Sequence, residues 1–219
     1  MKKNPTIDEL QNSGNYELIA RVKHAHIKEF VLRQVMLDKK FIPPYMIYQT
    51  LLFLGSVFFL TRAIVLAIRG NAEFLFVTLA AVVFSLTILV IIHEFLHGLV
   101  LWMTGAPRVS FGRVKGRFIF YAAAHHHVLG KKDFSLVAFT PLVVVQAVTL
   151  LGIFIWYPDP MVYFPLMVMC IHSFFCAGDI ALATLFHKYP GQEVYTFDDQ
   201  EQKASLYYVS KQKVNSVLS

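Results

Sequence analysis

The chain has 219 residues, of which 56% are hydrophobic and 15% are aromatic, and its formal net charge is +6. A soluble domain is about 45–50% apolar, so this composition argues against an ordinary soluble domain and predicts an integral membrane protein of one domain. Because long apolar runs are present, the basic residues indicate orientation in the lipid bilayer, and we expect no nucleic-acid partner.

Residues 1–42 are predicted to be a cytosolic segment that contains an amphipathic helix. Between Tyr16 and Lys40, apolar residues partly follow a helical stripe and basic residues lie between them. Such a helix could lie on the membrane surface or could be an ordinary solvated helix, and the pattern favours neither.

Residues 43–187 are predicted to be a membrane core, and residues 188–219 a polar cytosolic tail. Four apolar stretches in the core are long enough to cross the hydrocarbon layer, at about 44–68, 74–102, 134–157 and 161–186. The predicted fold class is therefore an all-α membrane protein with about four transmembrane helices and a small cytosolic-side β-hairpin.

The hairpin is predicted within residues 109–123, which are rich in β-forming residue types and contain Lys115-Gly116 as a turn. An exposed strand edge there could pair with an extended substrate segment. The alternative is a basic loop that lies on anionic headgroups, and the two interpretations are compatible.

Basic residues are distributed unevenly between the two sides of the predicted membrane core. Lys and Arg number eight before the first span, six in residues 105–133 and four in the tail, which is 18 of the 20 in the chain. Positive charge is enriched in cytoplasmic loops, so we expect a multi-pass protein of the cell membrane with both termini in the cytoplasm.

The second span contains His93-Glu94-Phe95-Leu96-His97, a His-Glu-x-x-His pattern inside an apolar run. On an α-helix, the two histidines are one turn apart on the same face and could share a zinc ion, Zn²⁺. Glu94 could then accept a proton from a zinc-activated water. The alternative is a buried polar cluster that only ties helices together, but ionisable groups within a membrane are functional by default.

A catalytic zinc needs a third protein ligand. Within the spans the acidic residues are Glu94 and Asp179, and Asp179 follows Gly178 in the fourth span. Counted from the cytoplasmic helix ends, His93 and Asp179 lie at similar depths, about 16 and 12 Å, so they could meet. The alternative is an Asp179 that only hydrogen-bonds to Ser or Thr in packing.

These motifs resemble those of the site-2 type of intramembrane metalloprotease and, more closely, a bacterial family of membrane zincin peptidases. The resemblance covers roughly residues 75–200 and rests on the zinc-binding pattern, Ala138-Phe139-Thr140-Pro141-Leu142 and Ala177-Gly178-Asp179. One departure is His172, which stands in about the region where the site-2 type has an asparagine. His172 could support a zinc ligand or donate to an oxyanion, or it could be a packing histidine.

His125, His126 and His127 are a second candidate for metal binding. In an extended segment, residues 125 and 127 face the same way, and Asp133 is the acidic residue closest to them in sequence. A role in a loop or an interface is favoured over metal binding.

Cys170 and Cys176 are six residues apart on one predicted helix. They therefore face different sides and are not expected to form a disulfide with each other.

We therefore expect a zinc-dependent metallopeptidase that hydrolyses a peptide bond of a membrane-protein or peptide substrate, within or beside the membrane. His93, His97 and Asp179 would hold zinc, and Glu94 would be the general base. One alternative is a non-hydrolytic zinc-binding scaffold, which would not need Glu94. The other is a metal-ion transporter, but four spans with one pair of acidic residues offer few groups to line a path for ions.

Overall fold

The structure is a computed structural model and describes residues 4–113 and 120–211. The helices are α1 Ile7–Asn12, α2 Ile27–Leu37, α3 Ile42–Ile68, α4 Glu73–Leu86, α5 Ile88–Met103, α6 Lys131–Trp156, α7 Tyr163–Phe175 and α8 Ala177–Ala183. The strands are β1 Tyr16–Lys23, β2 Val109–Arg113, β3 Phe120–Ala124, β4 Leu129–Gly130, β5 Val194–Asp199 and β6 Ala204–Ser210.

The chain divides into two compact units, and the divisions pass through helices α5, α6 and α8. The first unit consists of Met1–Asp38, Glu94–Ala138 and Gly178–Ser219, and the second of Lys39–His93 and Phe139–Ala177. Helices α3, α4 and α7 therefore lie entirely within the second unit, and every strand described belongs to the first.

Two helices of the described residues, α3 and α6, are long and apolar enough to cross a membrane. Two further pairs of helices are each bent at a short break, and these are α4 with α5 and Pro160–Phe175 with Ala177–His187. If each bent pair is counted as one span, the number of spans rises to four. These helices suggest a membrane protein, as the composition predicted.

The second and fourth predicted spans are not continuous helices. The second bends by 42° at Thr87. The hydroxyl of Thr87 donates to the carbonyl of Val83 at 2.6 Å and so competes with the backbone amide for this helix hydrogen-bond acceptor. The fourth bends by 41° at Cys176, two residues before Gly178. A helix interrupted for one residue keeps its apolar composition, which is why both stretches read as single spans in the sequence.

Inside the second unit, polar side chains on the apolar helices form hydrogen bonds with one another. The Arg62 guanidinium donates to the hydroxyl of Tyr163 at 2.7 Å and lies over the ring of Phe74. Between α3 and α7, the Ser173 hydroxyl donates to the side-chain oxygen of Gln49 at 3.1 Å. Such pairing is expected where polar groups would otherwise face hydrocarbon.

The first unit contains a four-stranded antiparallel sheet in the order β1-β6-β5-β4. Phe197 and Tyr207 are each 2% exposed and lie in two separate hydrophobic clusters that this sheet helps to form. The prediction of a helix from Tyr16 to Lys40 is therefore wrong over β1, and the helix begins only at Ile27. The predicted polar tail contains β5 and β6, two sheet strands that the sequence analysis did not predict. The chain is therefore mostly helical with a small β-sheet, which the predicted all-α fold class did not include, and β1 pairs in this sheet with a strand near the other end of the described residues.

The predicted hairpin is present as β2 and β3, which pair from Val109 with Ala124 to Arg113 with Phe120. The predicted turn at Lys115-Gly116 lies outside the described residues. The hairpin packs against α5 at Gly98, where an added Cβ would lie 2.4 Å from the ring of Phe111. The absence of a side chain at Gly98 therefore lets β2 approach the helix one residue after His97.

Candidate metal centre

Helix α5 positions the three residues of the His-Glu-x-x-His pattern. His93 and His97 are one turn apart on the same face of this helix, and both are buried, with 6% and 7% exposure. Glu94 follows His93 directly and is partly buried. The helix therefore presents two imidazoles side by side and a carboxylate beside them.

The orientation of the His97 ring is fixed by a backbone carbonyl of α6. Its Nδ1 lies 2.9 Å from the carbonyl oxygen of Val137, which can only accept, so Nδ1 carries the hydrogen. In a regular helix this carbonyl would accept from the amide four residues later, but that residue is Pro141, which has no N–H. Because Pro141 has no amide hydrogen, the carbonyl oxygen of Val137 is left available to accept from His97.

The other ring nitrogen of His97 faces the third residue predicted to bind metal. Its Nε2 lies 3.3 Å from Oδ2 of Asp179, on α8. With Nδ1 as the donor, a neutral His97 presents a lone pair to a carboxylate oxygen, so a proton or a cation must lie between the two atoms. In tetrahedral zinc sites neighbouring nitrogen and oxygen ligands are about 3.3–3.5 Å apart, so the observed spacing fits zinc.

His93 has a different partner, which lies on α7. Its Nδ1 is 3.1 Å from Nε2 of His172, whose side chain is fully buried. A histidine that binds metal through one nitrogen usually hydrogen-bonds through the other, and this contact orients the ring. His172 is therefore placed to support His93, which was one of the alternatives left open by the sequence.

His97 and Asp179, both in the first unit, lie close enough to share a metal ion, and His93 lies one turn before His97 on the same helix. Two imidazoles from one helix and a carboxylate from another are a donor set that zinc takes in peptidases. The roles of these residues as ligands, and of Glu94 as base, stay predictions.

The three consecutive histidines make hydrogen bonds with other residues of the first unit. Nδ1 of His125 accepts from the backbone amide of Gln200 at 3.3 Å, and Nε2 of His127 lies 3.1 Å from the hydroxyl of Thr104. Burial lowers the pKa of His127, although Asp133 acts in the opposite direction. Within residues 4–113 and 120–211, the groups that could hold a metal do not include these histidines.

Two features of the site were not found from the sequence. The first is the Val137 carbonyl, which is signalled only indirectly by a proline four residues later. The second is Cys176, whose spacing of four from His172 places both side chains on one face of a helical turn. That spacing is a usable signal in the sequence, whereas the sequence-based prediction for Cys176 concerned only a disulfide with Cys170.

The geometry and the donor set define a candidate zincin-type metal centre. A family model described as "Putative zincin peptidase" matches residues 86–194 of this chain. This match supports a zincin-like peptidase family, whose description implies zinc, and the matched segment contains His93, Glu94, His97 and Asp179. No curated protein and no solved structure matches the chain.

If His172 supports His93, replacing His172 by alanine should weaken zinc binding by about 10–100-fold, the usual cost of removing a partner of a metal-binding histidine. The measurement is competition with a chelator of known affinity. Glutamine at this position can still accept from Nδ1 of His93, so His172→Gln should recover part of the affinity. Equal zinc affinity in wild type and both variants would show that His172 only fills space.

Proposed function

We propose that this protein is a zinc-dependent peptidase that cleaves a peptide bond within or beside the membrane. The observation that carries the proposal is the ring of His97, held by the Val137 carbonyl so that its Nε2 faces Asp179 at 3.3 Å, on the helix that also carries Glu94. His93, His97 and Asp179 are the residues that would hold zinc.

A zinc ion held by His93, His97 and Asp179 would supply a Lewis acid, which would lower the pKa of water to about 7 and polarise the substrate carbonyl. Glu94 accepts the proton of the attacking water on its side-chain carboxylate. Glu94 then delivers this proton to the nitrogen of the leaving amine, as a general acid. His172 keeps the His93 ring in place throughout, and the Val137 carbonyl does the same for His97.

The β2–β3 hairpin supports an account of how the substrate is held. It packs on α5 at Gly98, adjacent to His97, and it forms a separate two-stranded sheet among the described residues. A peptide that adds to one of its edges would be extended, which is the conformation that exposes a single peptide bond to attack.

The proposal is tested with the purified full-length chain in detergent, by measuring zinc content and cleavage of a membrane-spanning peptide. We expect about one zinc per chain. A chelator should remove both the metal and the activity, and added zinc should restore both. Cleavage that persists after the metal has been removed would contradict a zinc peptidase, and zinc flux into proteoliposomes without cleavage would favour a transporter.

We further propose four spans with both termini in the cytoplasm, because 18 of the 20 basic residues fall on one side of that arrangement. Tags fused at Met1 and Ser219 should both resist an external protease in intact cells and be cut after the membrane is opened. A tag inserted in the link between α6 and α7, at Asp159, should be cut in intact cells. Cleavage of either terminal tag from outside would overturn this topology.

A further inference from the structure

The second unit contains a further group of side chains that could bind a metal, which shares His93 with the proposed zinc centre and adds a thiol that the proposed reaction does not use. It consists of His93, His172 and Cys176, which are all buried and which offer ligand atoms within 4.8 Å of one another. His172 and Cys176 are 0% exposed, and His93 is 6% exposed. A thiol and two imidazoles that converge away from solvent are unusual in an apolar helix bundle, where packing alone would favour hydrocarbon side chains.

The spacing inside this group matches a tetrahedral metal site. Nδ1 of His93 is 3.1 Å from Nε2 of His172, and the sulfur of Cys176 is 3.8 Å from the same nitrogen. In tetrahedral zinc sites two nitrogen ligands are about 3.3 Å apart, and a nitrogen and a sulfur ligand about 3.6 Å. These two spacings therefore lie within a few tenths of an ångström of coordinating values, and the ligand atoms of the whole group lie within 4.8 Å of one another.

Local structure explains why the three atoms meet. His172 and Cys176 are one turn apart at the end of α7, where the backbone amide of Cys176 donates to the carbonyl of His172 at 3.3 Å. The helix breaks at Cys176, so the thiol belongs to a helix end and not to a continuous span. Cys170 differs, because its sulfur donates to the carbonyl of Leu52 on α3 at 3.0 Å.

We propose that His93, His172 and Cys176 form a second metal site, which takes a thiophilic d¹⁰ cation such as Cd²⁺, Cu⁺ or excess Zn²⁺. Thiolate and imidazole ligands favour these ions over Mg²⁺ or Ca²⁺. Binding releases the thiol proton of Cys176 to solvent, and also the proton on Nδ1 of His93 when that nitrogen carries one. No electron is transferred.

The second site shares His93 with the zinc centre of the proposed peptidase. A cation bound by Nδ1 of His93 replaces the contact between His93 and His172 that orients the ring. Thiophilic metals should therefore inhibit peptide cleavage, a consequence that rests on the proposed function. The site itself stands on the geometry of the second unit alone.

The probe is Cd²⁺, added to the full-length chain in detergent after existing metal has been removed. A cadmium–thiolate bond gives an ultraviolet charge-transfer absorption that histidine and carboxylate ligands do not give. We expect this absorption in the wild type, its loss in Cys176→Ser and its retention in the matched control Cys170→Ser. The chain has two cysteines, so these variants assign the absorption completely.

A third variant separates this site from the zinc centre. His97→Ala should keep the cadmium–thiolate absorption, because His97 belongs to the other group, whereas His172→Ala should weaken it. Absence of the absorption in the wild type, or its persistence in Cys176→Ser, would overturn the second site. If the site is present but the chain cleaves no peptide, the proposed function fails and this site remains.

Discussion

Replacing Glu94 by glutamine should leave about one zinc per chain and reduce peptide hydrolysis by at least about a hundredfold, the usual scale for loss of a general base. Glutamine has the same shape but cannot accept the proton of the attacking water. The three side chains proposed to hold the metal are unchanged, so metal content and cleavage should separate in this variant. Both are measured on the same purified sample.

The matched control is Glu73→Gln, the same chemical change at an exposed residue at the start of α4. It should have the zinc content and the cleavage rate of the wild type. If Glu94→Gln cleaves at the wild-type rate with full zinc, the peptidase mechanism is wrong. If it also retains full biological activity, a zinc-binding scaffold becomes the better account of the site.

Replacing Asp179 or His93 by alanine should abolish zinc binding at metal concentrations that saturate the wild type. Each change removes one of three proposed ligands, so the loss of affinity should exceed the about 10–100-fold expected for a residue such as His172 that only supports a ligand. Cleavage should fall with the metal content. The measurement is zinc per chain after purification, together with circular dichroism to verify that the helices are intact.

The control for these two variants is Asp8→Ala, which removes an exposed carboxylate from α1. It should retain the metal. Stoichiometric zinc in both Asp179→Ala and His93→Ala would remove the proposed centre, whereas loss from only one would show that the other residue is not a ligand. The order expected for zinc affinity is wild type, then His172→Ala, then the two ligand variants.

The helical part of the fold follows from local sequence, but the sheet does not. Apolar runs predicted α3 and α6 to within a few residues, because the length and composition of a span are local properties. Strand β1 was predicted as a helix, since its partner β6 is almost the whole chain away and pairing decides its structure. Strand β5, with Val194, Thr196 and Phe197, carried β-forming residue types that the polar surroundings obscured.

The candidate site could also be predicted in part from the sequence, because some of its features are local. The spacing of His93 and His97 on a helix is local, and the scarcity of acids in the spans pointed to Asp179. The contacts of His93 with His172 and of His97 with Val137 join residues 79 and 40 positions apart. Such contacts depend on how helices pack, which periodicity does not determine.

The proline in α6 gives the protein an intrinsic vibrational reporter of metal occupancy. A cation on Nε2 of His97 makes the N–H at Nδ1 more acidic, and this strengthens its hydrogen bond to the Val137 carbonyl. Because Pro141 supplies no amide to that carbonyl, its stretching frequency should respond chiefly to the imidazole. A ¹³C label on the Val137 carbonyl would therefore give an infrared band that moves to lower frequency as the site fills, without any change to a side chain.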